Sequence, residues 1–164
     1  MADDIRLANI IFHDIARFRA QLFDRLIAPH GLTMSQAWVL AHLFIEDELT
    51  QSDIAKRMEV GTVTVGGLVD RLEARGLVMR RTDKKDRRAK RVCLLESAWP
   101  LGRVMKKCGI VVNDASFLGL PQEVVEEMVS NLALVRDNLS KTLQQDKIDR
   151  IEAGKSPAKK KRKR

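Results

Sequence analysis

Hydrophobic residues recur at helical spacing before residue 31 and again after residue 33. The first set predicts one long helix that ends near Pro29 and Gly31, because proline and glycine both interrupt helices. A shorter helix is expected after Thr33. The apolar stripe of the first helix consists of Leu7, Ile11, Ile15, Phe18, Leu22 and Leu26, and that of the second of Leu40, Leu43 and Phe44.

The C-terminal part of the chain shows the same periodicity. A long helix is predicted from about Ala98 towards Phe117, with a break at Gly119, and Pro121 is expected to open a last helix. The wide apolar faces of the first and last helices have no neighbour in the sequence to cover them. We therefore expect a second copy of the chain to cover them in a homodimer. The apolar positions of the last helix are Val124, Val125, Met128, Leu132, Val135 and Leu139.

Two short helices are predicted between these regions. Thr50 is a suitable N-cap for the first, with Asp53 three residues later to complement the exposed amides, and Val60–Gly61 is expected to close it. The second should begin near Thr62 or Thr64 and end just before Gly76. Two helices joined by a turn are typical of the helix-turn-helix, whose second helix enters the major groove of DNA.

A strongly basic hairpin is predicted directly after this pair of helices. Short β-like runs, Leu77–Met79 and Val92–Leu95, flank a segment with eight basic residues and two aspartates, which gives a net charge of +6. Such a charge repels itself unless a polyanion neutralises it. A merely solvated basic loop is the alternative, but the position directly behind a helix-turn-helix favours a DNA-binding wing.

Composition limits the classes of function. The chain has 164 residues, which suits one compact protomer, and it contains no apolar run long enough to span a bilayer and no secretory signal. Two cysteines, Cys93 and Cys108, form no metal-ligand motif or disulfide framework, so a cytoplasmic protein is expected. Neither a catalytic constellation nor a cofactor-binding or metal-binding motif is evident, so we do not expect an enzyme.

The net charge of +8 is unevenly distributed. The last twelve residues, 153–164, contribute seven positive charges, and together with the basic hairpin they leave a net charge of −5 for the rest of the chain. An acidic body with basic contact points fits a nucleic-acid-binding protein. The tail is expected to be disordered and to add phosphate contacts that do not depend on sequence.

Four spaced motifs resemble the winged helix-turn-helix regulators of the multiple-antibiotic-resistance (MarR) family. They are LTMSQ at 32–36, TQ at 50–51, LEARGLV at 72–78 and DRR at 86–88. The resemblance implies a mainly α-helical fold with a small β-hairpin wing, and a homodimer that binds a pseudo-palindromic DNA operator, most commonly as a repressor. It also implies that Arg88 reaches into a minor groove while Asp86 orders the wing turn.

The resemblance and the pattern together give a domain organisation and a DNA-contacting set. We expect a dimerisation helix at 1–31, the winged helix-turn-helix at 32–96, C-terminal dimerisation helices at 97–145 and a disordered basic tail at 146–164. Glu96 stands where the family usually has threonine, so Ser97 is expected to cap the next helix. The predicted DNA-binding residues are Thr50, Gln51, Thr62, Thr64, Gly66, Gly67, Arg71, Arg80, Lys85, Asp86, Arg87, Arg88 and Lys90.

The recognition helix departs from the family pattern. Gly66 and Gly67 stand where many members carry a larger side chain that reads bases, and each costs about 1 kcal/mol relative to alanine inside a helix. Base reading then falls to Thr62, Thr64, Arg71 or the wing. Alternatively, the glycines let the backbone approach the DNA closely.

A second mixed face on the first two helices suggests a small-molecule site. His13 and Arg17 are four residues apart, and Trp38 and His42 repeat this spacing, away from the main apolar stripes. These residues would hold a flat anion, with Trp38 stacking on it and Arg17 or a histidine meeting its charge. The resemblance implies an aromatic carboxylic acid, or its coenzyme A thioester, as inducer. Packing in the dimer is the structural alternative.

Two other functions remain open from the sequence. A redox-sensing repressor of the same family would need a reactive cysteine, whereas Cys93 and Cys108 are more typical of apolar filling. A DNA-packing protein without sequence preference would also suit the basic wing, the tail and the glycine-rich helix. The extent of a DNA footprint distinguishes it from a specific regulator.

Overall fold

The computed structural model describes residues 2–83 and 89–154, with side chains described within 7–83 and 89–145. The chain divides into two compact units, residues 1–116 and 117–164. The helices of the described residues are α1 (Ala2–Ile27), α2 (Met34–Ile45), α3 (Gln51–Met58), α4 (Thr62–Ala74), α5 (Trp99–Ser116) and α6 (Gln122–Gly154). The strands are β1 (Leu49–Thr50), β2 (Val78–Thr82) and β3 (Lys90–Leu94), which confirms the predicted fold class.

The core of the first unit lies where α2, α3 and α4 meet the base of the small sheet. Burial of these aliphatic side chains stabilises the unit, since each contributes roughly 1.5–3 kcal/mol relative to an exposed position. The pattern follows the sequence period, because α4 turns one face inward every third or fourth residue. Fully buried side chains include Val39, Leu40, Ile54, Val65, Val69, Leu72, Val78 and Val92.

The sheet has the strand order β1-β3-β2, and both pairs are antiparallel. Val78 pairs with Leu94 at the base of the β2–β3 hairpin and Thr82 pairs with Lys90 near its other end. The buried Val78 and Val92 anchor the base of the hairpin to the core, so the hairpin projects from α4 as a wing.

The ends of the helices confirm some predictions and correct two others. Thr50 caps α3 as predicted, with its side chain accepting the amide of Asp53. The prediction that Gly61 closes α3 is wrong, because Glu59 adopts the left-handed conformation there and Gly61 is the N-cap of α4. Ser97 does not cap α5: it lies within a 3-10 turn, Glu96–Ala98, and its hydroxyl donates to the carbonyl of Gly76.

The second unit contains α6, which begins just after Pro121 as predicted. The helix continues to Gly154, so the predicted boundary of a disordered tail at residue 146 is wrong, and residues 155–164 lie outside the described residues. An apolar stripe along α6 is exposed on this chain: Val124, Met128, Leu132, Val135 and Leu139. Among the described residues, none of the helices combines the length and the apolarity that a bilayer crossing needs.

Candidate nucleic-acid interface and ligand cleft

The outer face of α4 carries small side chains in its N-terminal half. Thr62 and Thr64 are exposed in its first turn, as predicted, and Gly66 and Gly67 follow on the same side of the helix. Val63, which the sequence analysis missed, is 88% exposed between the two threonines. Its position outside the buried stripe of Val65, Leu68 and Leu72 is the signal that would have identified it. An exposed valine is suited to contact the methyl group of thymine in the major groove.

The side chain of Arg71 folds back along the outer face of α4. Its Nε donates a hydrogen bond of 3.0 Å to the carbonyl of Gly67, one turn earlier. A methyl group added at Gly67 would lie 3.6 Å from the Arg71 guanidinium, so the arginine passes directly over that glycine. The predicted role of Arg71 in DNA binding stays a prediction, and its charge lies on the exposed face that this role requires.

Arg80 is held by the protein's own side chains and backbone. Nη1 lies 2.5 Å from Glu73 Oε2, Nη2 lies 2.7 Å from Asp70 Oδ1, and Nε donates to Gln51 Oε1 at 3.3 Å. Nη2 also lies 3.3 Å from the carbonyl oxygen of Gly66. Because all three guanidinium nitrogens have partners, the geometry argues against the predicted contact between Arg80 and DNA.

Thr50 and Gln51 likewise have partners within the chain. The hydroxyl of Thr50 donates to Asp53 Oδ2 at 2.6 Å and accepts the amide of Asp53 at 3.1 Å. This hydrogen bond from Thr50 is the main reason that the pKa of Asp53 lies below its ordinary value. The capping box thus uses the Thr50 hydroxyl, and the Gln51 amide oxygen accepts from Arg80. Both side chains support the start of α3, and their predicted role in DNA binding stays a prediction.

Ion pairs also fix the root of the wing. Arg81 lies 2.5 Å from Glu48, and Arg91 pairs with Asp83 and donates to the carbonyl of Glu48 at 2.7 Å. Glu48, Asp70 and Glu73 lie outside the hairpin, and they pair with hairpin arginines. The net positive charge around the hairpin is therefore smaller than the +6 expected from the hairpin sequence alone. Lys90 is exposed, whereas the predicted DNA-binding residues Lys85, Asp86, Arg87 and Arg88 lie outside the described residues.

A cleft of about 380 Å³ opens between α1, α2 and α5. Its walls are apolar, and Phe44 packs against Trp99 with the ring centroids 5.4 Å apart. The basic residue in its lining is Lys106. The lining residues are Phe23, Met34, Ala37, Trp38, Ala41, Phe44, Ile45, Gly102, Met105 and Lys106.

A second cleft of about 350 Å³ shares Phe23, Met34 and Trp38 with the first. Its basic residue is Arg19, which bridges α1 to α5 by donating to Asn113 Oδ1 at 2.7 Å and to the hydroxyl of Ser116. Trp38 therefore stands between two apolar clefts, each with one cationic side chain. Its indole is 50% exposed, so it is available to a ligand.

Of the four predicted effector-binding residues, Trp38 lines the clefts and the other three do not. His13 and Arg17 are exposed on α1, where Arg17 pairs with Asp14 at 2.7 Å and lies 4.2 Å from the centre of the Phe18 ring. The ring of His42 lies 6.2 Å from that of Trp38. Partial burial, and then the charge of Arg57, lower the pKa of His42 and so favour its neutral form. The cations that do line the clefts, Lys106 and Arg19, come from α5 and from another face of α1.

The two cysteines are buried and free. Burial raises the pKa of the Cys93 thiol, which disfavours the reactive thiolate that a redox sensor needs. Among the described residues, no three His, Cys, Asp or Glu side chains come together in a way that could hold a metal ion.

Comparison with known proteins agrees with this geometry. Residues 30–89 match a family model described as the MarR family. A MarR transcriptional regulator from Methanosarcina mazei Go1 superposes with a TM-score of 0.77 at 24% identity, covering 84% of this chain and 99% of that one.

Two further solved structures show bound partners. CouR from Rhodococcus jostii RHA1, solved with p-coumaroyl-CoA, has a TM-score of 0.67 at 28% identity and covers 82% of this chain and 92% of its own. MepR from S. aureus, solved with DNA, has a TM-score of 0.69 at 27% identity and covers 79% of this chain and 96% of its own.

Proposed function

Because this chain belongs to the MarR family of winged helix transcriptional regulators, we propose that it is a cytoplasmic, homodimeric repressor. It binds a pseudo-palindromic operator and releases it when an aromatic carboxylate, or the coenzyme A thioester of one, binds the clefts beside Trp38. The observation that carries the DNA-binding part is the exposed first turn of α4, which stands next to a wing whose root is held by ion pairs.

The shape of α4 supports insertion into a major groove. Its outer face carries small side chains, so the helix approaches the bases closely, and Thr62, Val63 and Thr64 lie at its N-terminal end, the part that reads bases in helix-turn-helix proteins. The wing then takes the adjoining minor groove, where Arg88 is the proposed contact. The DNA complex of MepR, a relative at 27% identity, supports this mode of action.

Exposed apolar surface supports the homodimer. On α1, Leu7, Ile11, Ile15 and Phe18 are each 45–57% exposed, which is unusual for large apolar residues along one stripe. The stripe on α6 is exposed in the same way. A two-fold dimer buries the same surface of both copies, and it also places two α4 helices for two half-sites.

The clefts support an aromatic acid as the effector. Phe23, Met34 and Trp38 offer apolar and aromatic surface to a flat ring, and Lys106 and Arg19 each offer a positive charge to a carboxylate. We propose these two cations in place of Arg17 and the histidines predicted from the sequence. The complex of CouR with p-coumaroyl-CoA, at 28% identity, supports a ligand of this class.

Hydrogen bonds connect the helices of the clefts to α4. Arg75, just after α4, donates to the carbonyls of His30 and Gly31 that follow α1, and Ser97, just before α5, donates to the carbonyl of Gly76. A ligand that shifts α1 against α5 thereby displaces the end of α4. To release the operator it must favour the DNA-incompetent arrangement by about 1–3 kcal/mol, the usual range of such couplings.

Selection of binding sites from random DNA, followed by footprinting with the full-length protein, tests the DNA-binding part. We expect protection of two half-sites about one helical turn, roughly 34–36 Å, apart. Uniform protection of unrelated sequences would instead indicate a DNA-packing protein. Sedimentation of the free protein at the concentrations used for footprinting tests the dimer, and a monomer would contradict it.

A panel of aromatic carboxylates and their coenzyme A thioesters tests the effector. We expect at least one compound to raise the melting temperature and to release the selected operator. Lys106→Gln should weaken that response, whereas Lys107→Gln, which removes the same charge from the next residue outside the cleft lining, should leave it unchanged. If the whole panel neither stabilises the protein nor releases DNA, the effector class is wrong.

A further inference from the structure

Among the described residues near the proposed DNA-facing surface, Arg80 of β2 has several partners at once. Its guanidinium joins four residues from two helices: Asp70, Glu73 and the backbone of Gly66 in α4, and Gln51 of α3. Its backbone amide also donates to Glu73 Oε1 at 2.9 Å. The side chain is 18% exposed, so these contacts are partly shielded from water.

We propose that Arg80 is a positioning residue for DNA recognition, which locks the wing to the recognition helix and makes no contact with DNA itself. This inference deepens the proposed function and rests on it. The recognition helix and the wing must enter neighbouring grooves at the same time, so the distance and angle between them decide operator affinity. Arg80 spans the two elements directly, from the first residues of the wing to the middle of α4.

The cluster gives a structural reason for glycine at position 66. A methyl group there would lie 3.3 Å from the Gln51 amide nitrogen, which is tighter than ordinary van der Waals contact. The Gln51 amide oxygen accepts from Arg80, and the Gly66 carbonyl accepts from the same guanidinium. A larger residue would push Gln51 out of the cluster. Gly66 therefore lets α3, α4 and β2 meet closely, in addition to any close approach to DNA.

Arg80 also offsets negative charge on the proposed DNA-facing surface. Asp70 is 67% exposed and Glu73 39% exposed on α4, where two carboxylates would repel the phosphates of DNA. The hydrogen bonds from Arg80 hold the pKa of Glu73 below its ordinary value, so this carboxylate is ionised at neutral pH. One guanidinium pairs with both carboxylates and neutralises part of their combined charge.

Charge-conserving substitution separates positioning from phosphate contact. A lysine keeps the positive charge but lacks the planar fork that reaches several acceptors at once. We expect Arg80→Lys to weaken binding to the selected operator at least tenfold, nearly as much as Arg80→Ala, while the dependence of affinity on salt keeps its slope. A phosphate contact predicts the opposite: Arg80→Lys close to wild type, and a slope lower by about 0.9 in Arg80→Ala. That result would overturn the inference.

Removal of a carboxylate gives a second test, in which electrostatics and the positioning role predict opposite changes in operator affinity. Glu73→Gln takes a negative charge away from the DNA-facing side, so electrostatics alone predict tighter binding. The positioning role predicts weaker binding to the operator, because the main partner of Arg80 is lost. The matched control is Glu59→Gln, in the turn between α3 and α4, for which we expect equal or tighter binding. Tighter binding by Glu73→Gln as well would contradict the positioning role.

Amide exchange of the free protein tests the lock without DNA. We expect Arg80→Lys to speed exchange along Val78–Thr82 at least tenfold and to leave the amides of α2 unchanged. Wild-type protection of β2 in this variant would overturn the inference even if no operator were found. Conversely, a wild-type protein that binds all DNA equally would sink the proposed function, while the exchange result would still decide the role of Arg80.

Discussion

The guanidinium of Arg75 donates a hydrogen bond to the backbone carbonyl of Gly31. Arg75 follows the recognition helix, and Gly31 closes the turn after α1 in the left-handed conformation, with φ of 72°. The same guanidinium also donates to the carbonyl of His30 at 3.1 Å. This contact joins residues 44 positions apart and connects the helix of the proposed dimer to the helix of the proposed DNA contact.

Loss of this contact should reduce stability. We expect Arg75→Ala to lower the free energy of unfolding by about 1–2 kcal/mol, because two backbone carbonyls lose a charged donor. Urea denaturation measures the change. Arg103→Ala, an exposed arginine on α5, serves as control and should stay within about 0.5 kcal/mol of wild type. Equal effects of the two substitutions would show that the contact adds nothing to stability.

Two glycines of α5 should respond oppositely to alanine. A methyl group at Gly102 would meet the ring of Phe44 at 2.9 Å, whereas one at Gly109 meets nothing within 4 Å among the described residues. Gly109→Ala should stabilise the protein by up to about 1 kcal/mol through helix propensity. Gly102→Ala should be about 1–3 kcal/mol worse than Gly109→Ala because of overpacking. Thermal denaturation of both variants checks this, and equal stability would contradict the packing at Phe44.

The capping box of α3 should give a stability that depends on acid pH. Thr50→Ala should cost about 1 kcal/mol at neutral pH, because the exposed amides of α3 lose their acceptor. The pKa of Asp53 is lowered in the folded protein, so its contribution is complete above its unfolded value of 3.8 and is lost as pH falls below that value. Urea denaturation of the wild type and of Thr50→Ala at neutral pH and near pH 3 tests this. We expect the substitution to cost about 1 kcal/mol at neutral pH and less near pH 3. If Thr50→Ala cost the same free energy of unfolding at both pH values, the interaction between Thr50 and Asp53 would not contribute to stability.

The wing tip should carry the phosphate and minor-groove contacts that Arg80 does not. We expect Arg88→Ala to weaken operator binding at least tenfold, about 1.4 kcal/mol, and to lower the salt slope by about 0.9. Fluorescence anisotropy across a salt series measures both quantities. Arg81→Ala is the control: its partner is Glu48 at 2.5 Å, so its salt slope should change less. An unchanged affinity of a folded, dimeric Arg88→Ala would sink the minor-groove assignment.

The elements could be predicted because their signals are local. Apolar period, the Thr50–Asp53 cap and the glycines at 31 and 76 each act within a few residues of the chain, so the helices and the wing followed from pattern alone. The failures were also local in origin. Glu59 takes the left-handed turn that a glycine was expected to provide, because the αL conformation is sterically accessible to a non-glycine residue at modest cost.

The roles of the basic residues could not be read from their order. Arg80, Arg81 and Arg91 stand in one run with the residues of the wing tip, yet Arg80 and Arg81 pair with acids of α4 and of the turn before β1. The cleft cations are a similar case. Arg17 and His13 had the expected spacing, but Arg19 and Lys106 line the clefts because α5 packs against another face of α1.

The sequence by itself determined the family, the order of helices and strands and the presence of a basic wing. These depend on periodicity and on short motifs such as LEARGLV and DRR. The tertiary structure alone decided which charged side chains are neutralised and which remain available. Ion pairs such as Arg80 with Glu73 depend on which backbones come within a few ångströms of each other, and the fold sets that proximity.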